Sequence, residues 1–286
     1  MGAQASLLID GMDNARAQGL IARVRAEIAR LENVFNLTVA DSAICRLNRG
    51  GMLAAPPLDL VGLLGTLNAV YAATDGAFDA TIQSVWQLMA RTGGFPDAKR
   101  LTQAQALVGR RNVNVSADAI TFAKEGMALT LNGIAQGYVT DRVSALLRGE
   151  GLTHVLVSLG EIAAIGPRAD GAPWRVGLAE RSDGRPEETI ALRDRAVATT
   201  APLGTVFGPR IRSGHLIDPH GAGPAERYRR ITVSHPSATL ADGLSTGFAL
   251  IRPNAMSAAA TSIRSIGVVA MHASDERTSL GELERS

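Results

Sequence analysis

The chain has 286 residues, 46% of them hydrophobic, enough for one large core or two modest ones. Its 29 basic and 27 acidic residues leave a formal net charge of +2 and are interspersed, so no basic arm points to nucleic acid. Cys45 is the sole cysteine, which excludes an intrachain disulfide and a cysteine-based zinc site, and no apolar run reaches the roughly 18 residues of a membrane span. The opening M-G-A-Q-A-S-L-L-I-D has no charged segment followed by an apolar one, so the expectation is a chain without signal peptide or lipobox, soluble as written.

In chain order, Ala5 to Ile9 reads as a strand and Ala15 to Leu31 as a helix, with Leu20, Ile21, Val24, Ile28 and Leu31 at helical spacing. Asp41 and Ser42 stand where a helix N-cap would be, before Ile44 and Leu47, with Asp41 most simply the cap. A helix over Leu58 to Thr74 stops at Asp75-Gly76, and Ile82 to Ala90 forms another with Trp86 on its apolar side. Phe78 and Trp86 suit a core on spacing alone. Thr92 to Arg100, with two glycines and a proline, reads as a loop; Val113 to Val115 and Ala119 to Phe122 read as short strands.

The stretch L-T-L-N-G-I-A-Q-G-Y-V-T-D from Leu129 to Asp141 then runs from an alternating strand into a helix whose face carries Val139, Val143, Leu146 and Leu147. Gly133 and Gly137 leave the backbone open at the helix start, where N–H groups favour an anion such as phosphate; a tight turn packed on a core explains the same glycines. Val155 to Leu159 is a buried strand, and Glu161 just after it is either presented to a ligand or a surface carboxylate. Trp174 to Leu178, Thr189 to Leu192 and Ala196 to Thr199 continue as a meander, and His215 lies in a turn. Pro236 and Ser237 start a helix whose apolar face is Leu240, Leu244, Phe248 and Ile251. Asp242 and Thr246, four apart, put two oxygens on a second face, a pattern suited to a hard cation and also to an ordinary polar helix face.

The segments M-G-A-Q-A-S-L, A-D-S-A-I-C-R-L-N, T-D-G-A-F-D-A-T, L-N-G-I-A-Q-G-Y-V-T-D, S-L-G-E-I-A-A-I-G, A-V-A-T-T-A, H-L-I-D-P and H-P-S-A-T-L-A-D-G-L-S-T-G follow one another in an order that resembles the ApbE-type family, the FAD:protein FMN transferases. The resemblance covers most of the chain and leaves the residues beyond about Ile251 undiagnosed. It implies one domain over residues 1–286. The implied fold is α+β and T-fold-like, with mixed or antiparallel sheets flanked by helices and FAD, the substrate, in a cleft between sublobes. It implies Mg2+ held by the Ala135 carbonyl and the side chains of Asp242 and Thr246. Cofactor contacts would come from Thr38, Ala77, Phe78, Asp79, Asn132, Tyr138, Thr200, His215 and Ile217, with His215 or Asp242 as general base.

The implied reaction moves FMN from FAD to a threonine of an acceptor flavoprotein subunit and releases AMP. FAD pyrophosphatase activity and a non-catalytic FAD-binding maturation factor are the alternatives. The family's setting is the periplasmic face of the bacterial inner membrane. Two positions depart from the family pattern: Gln136 stands where a basic residue is usual, removing a charge near the diphosphate, and Thr38 stands where many members carry an aromatic residue.

Overall fold

The computed structural model describes residues 5–10, 14–179, 186, 188–204, 206–208, 211–221, 227–281 and 283. Met1 to Gln4 of the first motif lie outside them. The described elements run β1 (Ser6–Ile9), α1 (Asn14–Phe35), α2 (Ala43–Gly50), β2 (Met52–Ala54), α3 (Leu58–Ala73), α4 (Gln83–Arg91), α5 (Ala98–Gln105), β3 (Val113–Val115), β4 (Ala119–Phe122), α6 (Ala135–Gly149), β5 (Val155–Ser158), β6 (Ile162–Ile165), β7 (Trp174–Leu178), β8 (Glu188–Leu192), β9 (Ala196–Thr200), β10 (Val206–Gly208), β11 (Ile211–Gly214), β12 (Tyr228–His235), α7 (Ala238–Phe248), α8 (Pro253–Ser262), β13 (Gly267–His272) and β14 (Arg277–Gly281). This is the α+β class expected from sequence, with helices against antiparallel sheets.

The largest sheet has the order β1-β5-β6-β9-β12-β13-β14, and every pairing in it is antiparallel. Strand β6 and the first half of β9 are apolar on both faces because both are covered, whereas β12 buries Arg230, Thr232 and Ser234 on one of its faces. Val155, Val157, Ala163, Ile165, Ala196, Ala198, Ile231 and Val233 point into the main core beneath α6 and α7, while Ala164 and Val197 face the β7–β8 hairpin with Trp174, Val176 and Ile190. The undiagnosed C-terminal residues supply β13 and β14, so they are part of this sheet. A smaller sheet, β2-β4-β3, lies elsewhere in the chain.

Several expectations needed correction. Leu129 to Leu131 is extended and buried but joins no ladder, because the Asn48 side chain takes both the N–H (2.7 Å) and the carbonyl (2.8 Å) of Leu129. The loop expected over Thr92 to Arg100 gives way at Ala98 to α5, capped by Asp97, whose side chain accepts from Arg100 N–H. Ser42, not Asp41, caps α2.

The junction of α6 and α7 positions everything that follows. A Cβ at position 137 would stand 2.2 Å from the Ala238 carbonyl oxygen, so only glycine lets the two helices approach this closely. Asp141, one turn further along α6, locks the crossing by accepting from Ala238 N–H, Thr239 N–H, and the Ser237 and Thr239 hydroxyls at 2.6–2.9 Å. One carboxylate on α6 thus satisfies the orphan donors at the start of α7 and complements its dipole.

Candidate active site

Asp242 and Thr246 lie on one face of α7, as their spacing requires. Asp242 is only 5% exposed, and its Oδ2 accepts the Gly137 N–H at 2.9 Å. That amide therefore serves a carboxylate of the protein itself, which corrects the expectation that it stays open for an anionic ligand. Burial drives the Asp242 carboxyl far above its ordinary value, to about 7, and the single Gly137 hydrogen bond opposes this only in part.

Thr246 stands at the rim. A Cβ at Gly133 would come within 2.9 Å of its Cγ2 and 3.2 Å of the Phe78 ring, so the Asn132-Gly133 turn before α6 lies directly on Thr246. The Thr200 hydroxyl at the end of β9 shares a hydrogen bond with Ser245 (2.7 Å) and a longer one with Thr246 (3.4 Å). Ser245 in turn donates to the Asp242 carbonyl. The start of α6, α7 and the end of β9 thus place Ala135, Asp242, Thr246 and Thr200 together, with Phe78 packed against Gly133 and Gly247.

His215 and Ile217 belong to another segment, which touches the chain just beyond β9. Gly214 lies against the backbone of Pro202, just beyond Thr200, while Leu216 packs on Ala77 and Leu250 and Ile217 on Val85 and Met89. Asn132 is exposed in its turn.

Three expected cofactor contacts have protein partners of their own. The Asp79 carboxylate accepts from Thr81 N–H, the Thr81 hydroxyl and Arg110 N–H, capping a short 3-10 turn. The Tyr138 hydroxyl donates to Asp59 at 2.9 Å and its ring meets Phe35 edge-on, so its contacts are with α1 and α3. Burial and this bond hold the phenol at about 12. Thr38 is exposed, its N–H and hydroxyl both donating to Asn36 Oδ1.

Glu161, for which a surface position was one of two readings, is 8% exposed, and its carboxyl is raised well above the ordinary range by burial and then by the charge of Asp242. Its place directly after a buried strand was the only signal in the sequence.

The family model described as the ApbE family matches residues 1–270 of this chain. The chain belongs to the ApbE family. Among curated relatives, a Klebsiella pneumoniae protein named FAD:protein FMN transferase is 26% identical over 275 residues, covering 88% of this chain and 77% of the relative. A Treponema pallidum protein of the same name is 28% identical over 271 residues, covering 80% and 75%. Among solved structures, the flavinyl transferase ApbE of Pseudomonas stutzeri in its apo form superposes with a TM-score of 0.83 at 26% identity, covering 98% of this chain and 92% of that one. The flavin transferase ApbE of Vibrio cholerae, at 23% identity, shares the fold with a TM-score of 0.82 over 98% and 94%.

Proposed function

We propose that this ApbE-family chain transfers FMN from FAD to a threonine hydroxyl of an acceptor protein, releasing AMP, with Mg2+ as cofactor. The observation that carries this reading is the juxtaposition of a deeply buried Asp242 with Thr246, Thr200 and the first turn of α6.

The donor chemistry fits a hard cation. Asp242 and Glu161 are both buried, the charge of Asp242 bears on Glu161, and neither forms an ion pair among the described residues, so a bound cation would offset the burial of their charge. The Asp242 and Thr246 side chains and the Ala135 carbonyl would hold it, all oxygen ligands as Mg2+ prefers. Bound there, Mg2+ supplies Lewis-acid neutralisation of the diphosphate oxygens.

The remaining work belongs to the chain. The Gly137 N–H fixes one Asp242 oxygen, and the Asp141 clamp keeps α7 from sliding on α6, so the ligand face is held before substrate arrives. Phe78, packed between Gly133 and Gly247, offers an apolar wall beside Thr246. In the transfer, the acceptor oxygen bonds to the phosphorus of the FMN half as the phosphorus–oxygen bond to AMP breaks, and the hydroxyl proton must leave. A carboxylate committed to a cation would be a weak proton acceptor, so the proton is assigned to His215, half-buried directly after β11.

Gln136, neutral where the family usually has a basic residue, favours a second reading in which the chain binds FAD without turnover. Incubation with FAD, Mg2+ and a threonine-containing acceptor domain separates the cases. Covalently flavinylated acceptor supports transfer, free FMN supports hydrolysis, and unchanged FAD supports binding alone.

A further inference from the structure

Glu161 is the buried acid that the transfer described above does not use. It follows Gly160 at the turn between β5 and β6, and contacts bracket it on two sides. In the sheet, β6 pairs with β9 so that Ile162 stands opposite Val197, which brings Glu161 beside the end of β9, where Thr200 meets Ser245 and Thr246. On the other side Gly160 lies against the Gln136 side chain, and the next residue of α6, Gly137, donates to Asp242.

Glu161 and Asp242 are therefore two buried acids near one another, and among the described residues the Gly137 N–H serves Asp242 alone. Like charges at such range repel, and a buried carboxylate is tolerated when something offsets it. No arginine, lysine or histidine pairs with either among the described residues, and the side chain nearest the Gly160 turn is the neutral amide of Gln136.

We propose that Glu161 is a second carboxylate ligand of the divalent cation held by Asp242 and Thr246, so that this chain offers two acidic side chains to the metal. The proposal rests on the flavin-transfer reading for the presence of a cation, but concerns binding that precedes FAD. Raising the ligand charge count tightens a hard-cation site. In this chain the added negative charge also stands beside the position that lacks the family's basic residue.

The test is calorimetric titration of Mg2+ into the whole chain, without FAD or acceptor, for the wild type, Glu161→Gln, Glu161→Asp and Asp242→Asn. Glu161→Gln keeps shape and removes charge, and is expected to weaken Mg2+ binding roughly 10- to 100-fold, the scale seen when groups around a metal are altered. Glu161→Asp, which retains a carboxylate, should fall between it and the wild type and keeps the test intact if the glutamine variant folds poorly. The melting temperature of metal-free Glu161→Gln should equal or exceed the wild type, because a repulsive charge is gone. Wild-type Mg2+ affinity in Glu161→Gln, or no Mg2+ binding by the wild type, overturns the proposal. Failure of flavin transfer alone leaves this titration unaffected, so the two readings fail separately.

Discussion

Asp242→Asn isolates the electrostatic cost of the site, because the amide oxygen can still accept the Gly137 N–H that alanine would strand at about 1–3 kcal/mol. The carboxyl of Asp242 is raised from 3.8 to about 7 in the folded chain. Between those values the folded protein holds a proton that the unfolded chain has lost. Stability without metal therefore falls as pH rises through that window and levels off above it, a cost on the order of 4 kcal/mol. Asparagine does not titrate and removes this slope. In EDTA, Asp242→Asn should melt above the wild type at pH 8, by on the order of 5 °C, and the gap should close toward pH 4. Saturating Mg2+ should reverse the order, since only the wild type gains binding free energy from the ion. Scanning calorimetry over pH, with and without metal, reads both effects. A variant less stable than the wild type at pH 8 in EDTA, or a gap that ignores pH, would refute the claim that Asp242 is a strained, desolvated acid awaiting a cation.

Three further outcomes follow from the same geometry. Thr246→Ala removes one neutral ligand that water can replace, so activity should drop and return at high Mg2+; a loss that no Mg2+ concentration restores would contradict this role. Gly137→Ala drives a methyl into the Ala238 carbonyl at 2.2 Å and should cost on the order of 3 kcal/mol or prevent folding, measured by urea denaturation; a neutral result would mean the α6–α7 approach is not fixed there. Gln136→Lys should tighten FAD binding by on the order of 1 kcal/mol and lose the gain at high salt, read by flavin fluorescence; equal affinities at every salt would put position 136 outside the field of the diphosphate.

Local pattern made much of this legible. Four-residue spacing alone put Asp242 and Thr246 on one face of α7, and the alternation of Trp174 to Leu178 marked β7 to the residue. What escaped depends on partners far along the chain. Leu129 to Leu131 has the alternation of a strand, yet Asn48, 81 residues away in sequence, takes the backbone groups a ladder would use. Strand β6, I-A-A-I, has no alternation because it is covered on both faces, and α5 has a capping aspartate but no buried residue to give it a period. Within the site, the resemblance named Ala135, Thr200, Thr246, Asp242 and Phe78, and the structure sets these around the start of α6, α7 and the end of β9, without testing their roles. The resemblance could not reveal that Tyr138 and Asp79 already have protein partners, since Asp59 and Arg110 lie on elements distant in sequence. Nor did the turn position of Glu161 disclose its burial.

The central claim is covalent transfer, and the most direct measurement is intact mass spectrometry of a threonine-containing acceptor domain after incubation with this chain, FAD and Mg2+. AMP is quantified in the same mixture. The account predicts one FMN bound per acceptor, AMP released in equal amount, no product in EDTA or with Asp242→Asn, and none when the acceptor threonine is replaced by alanine. AMP and free FMN accumulating with the acceptor mass unchanged would contradict it.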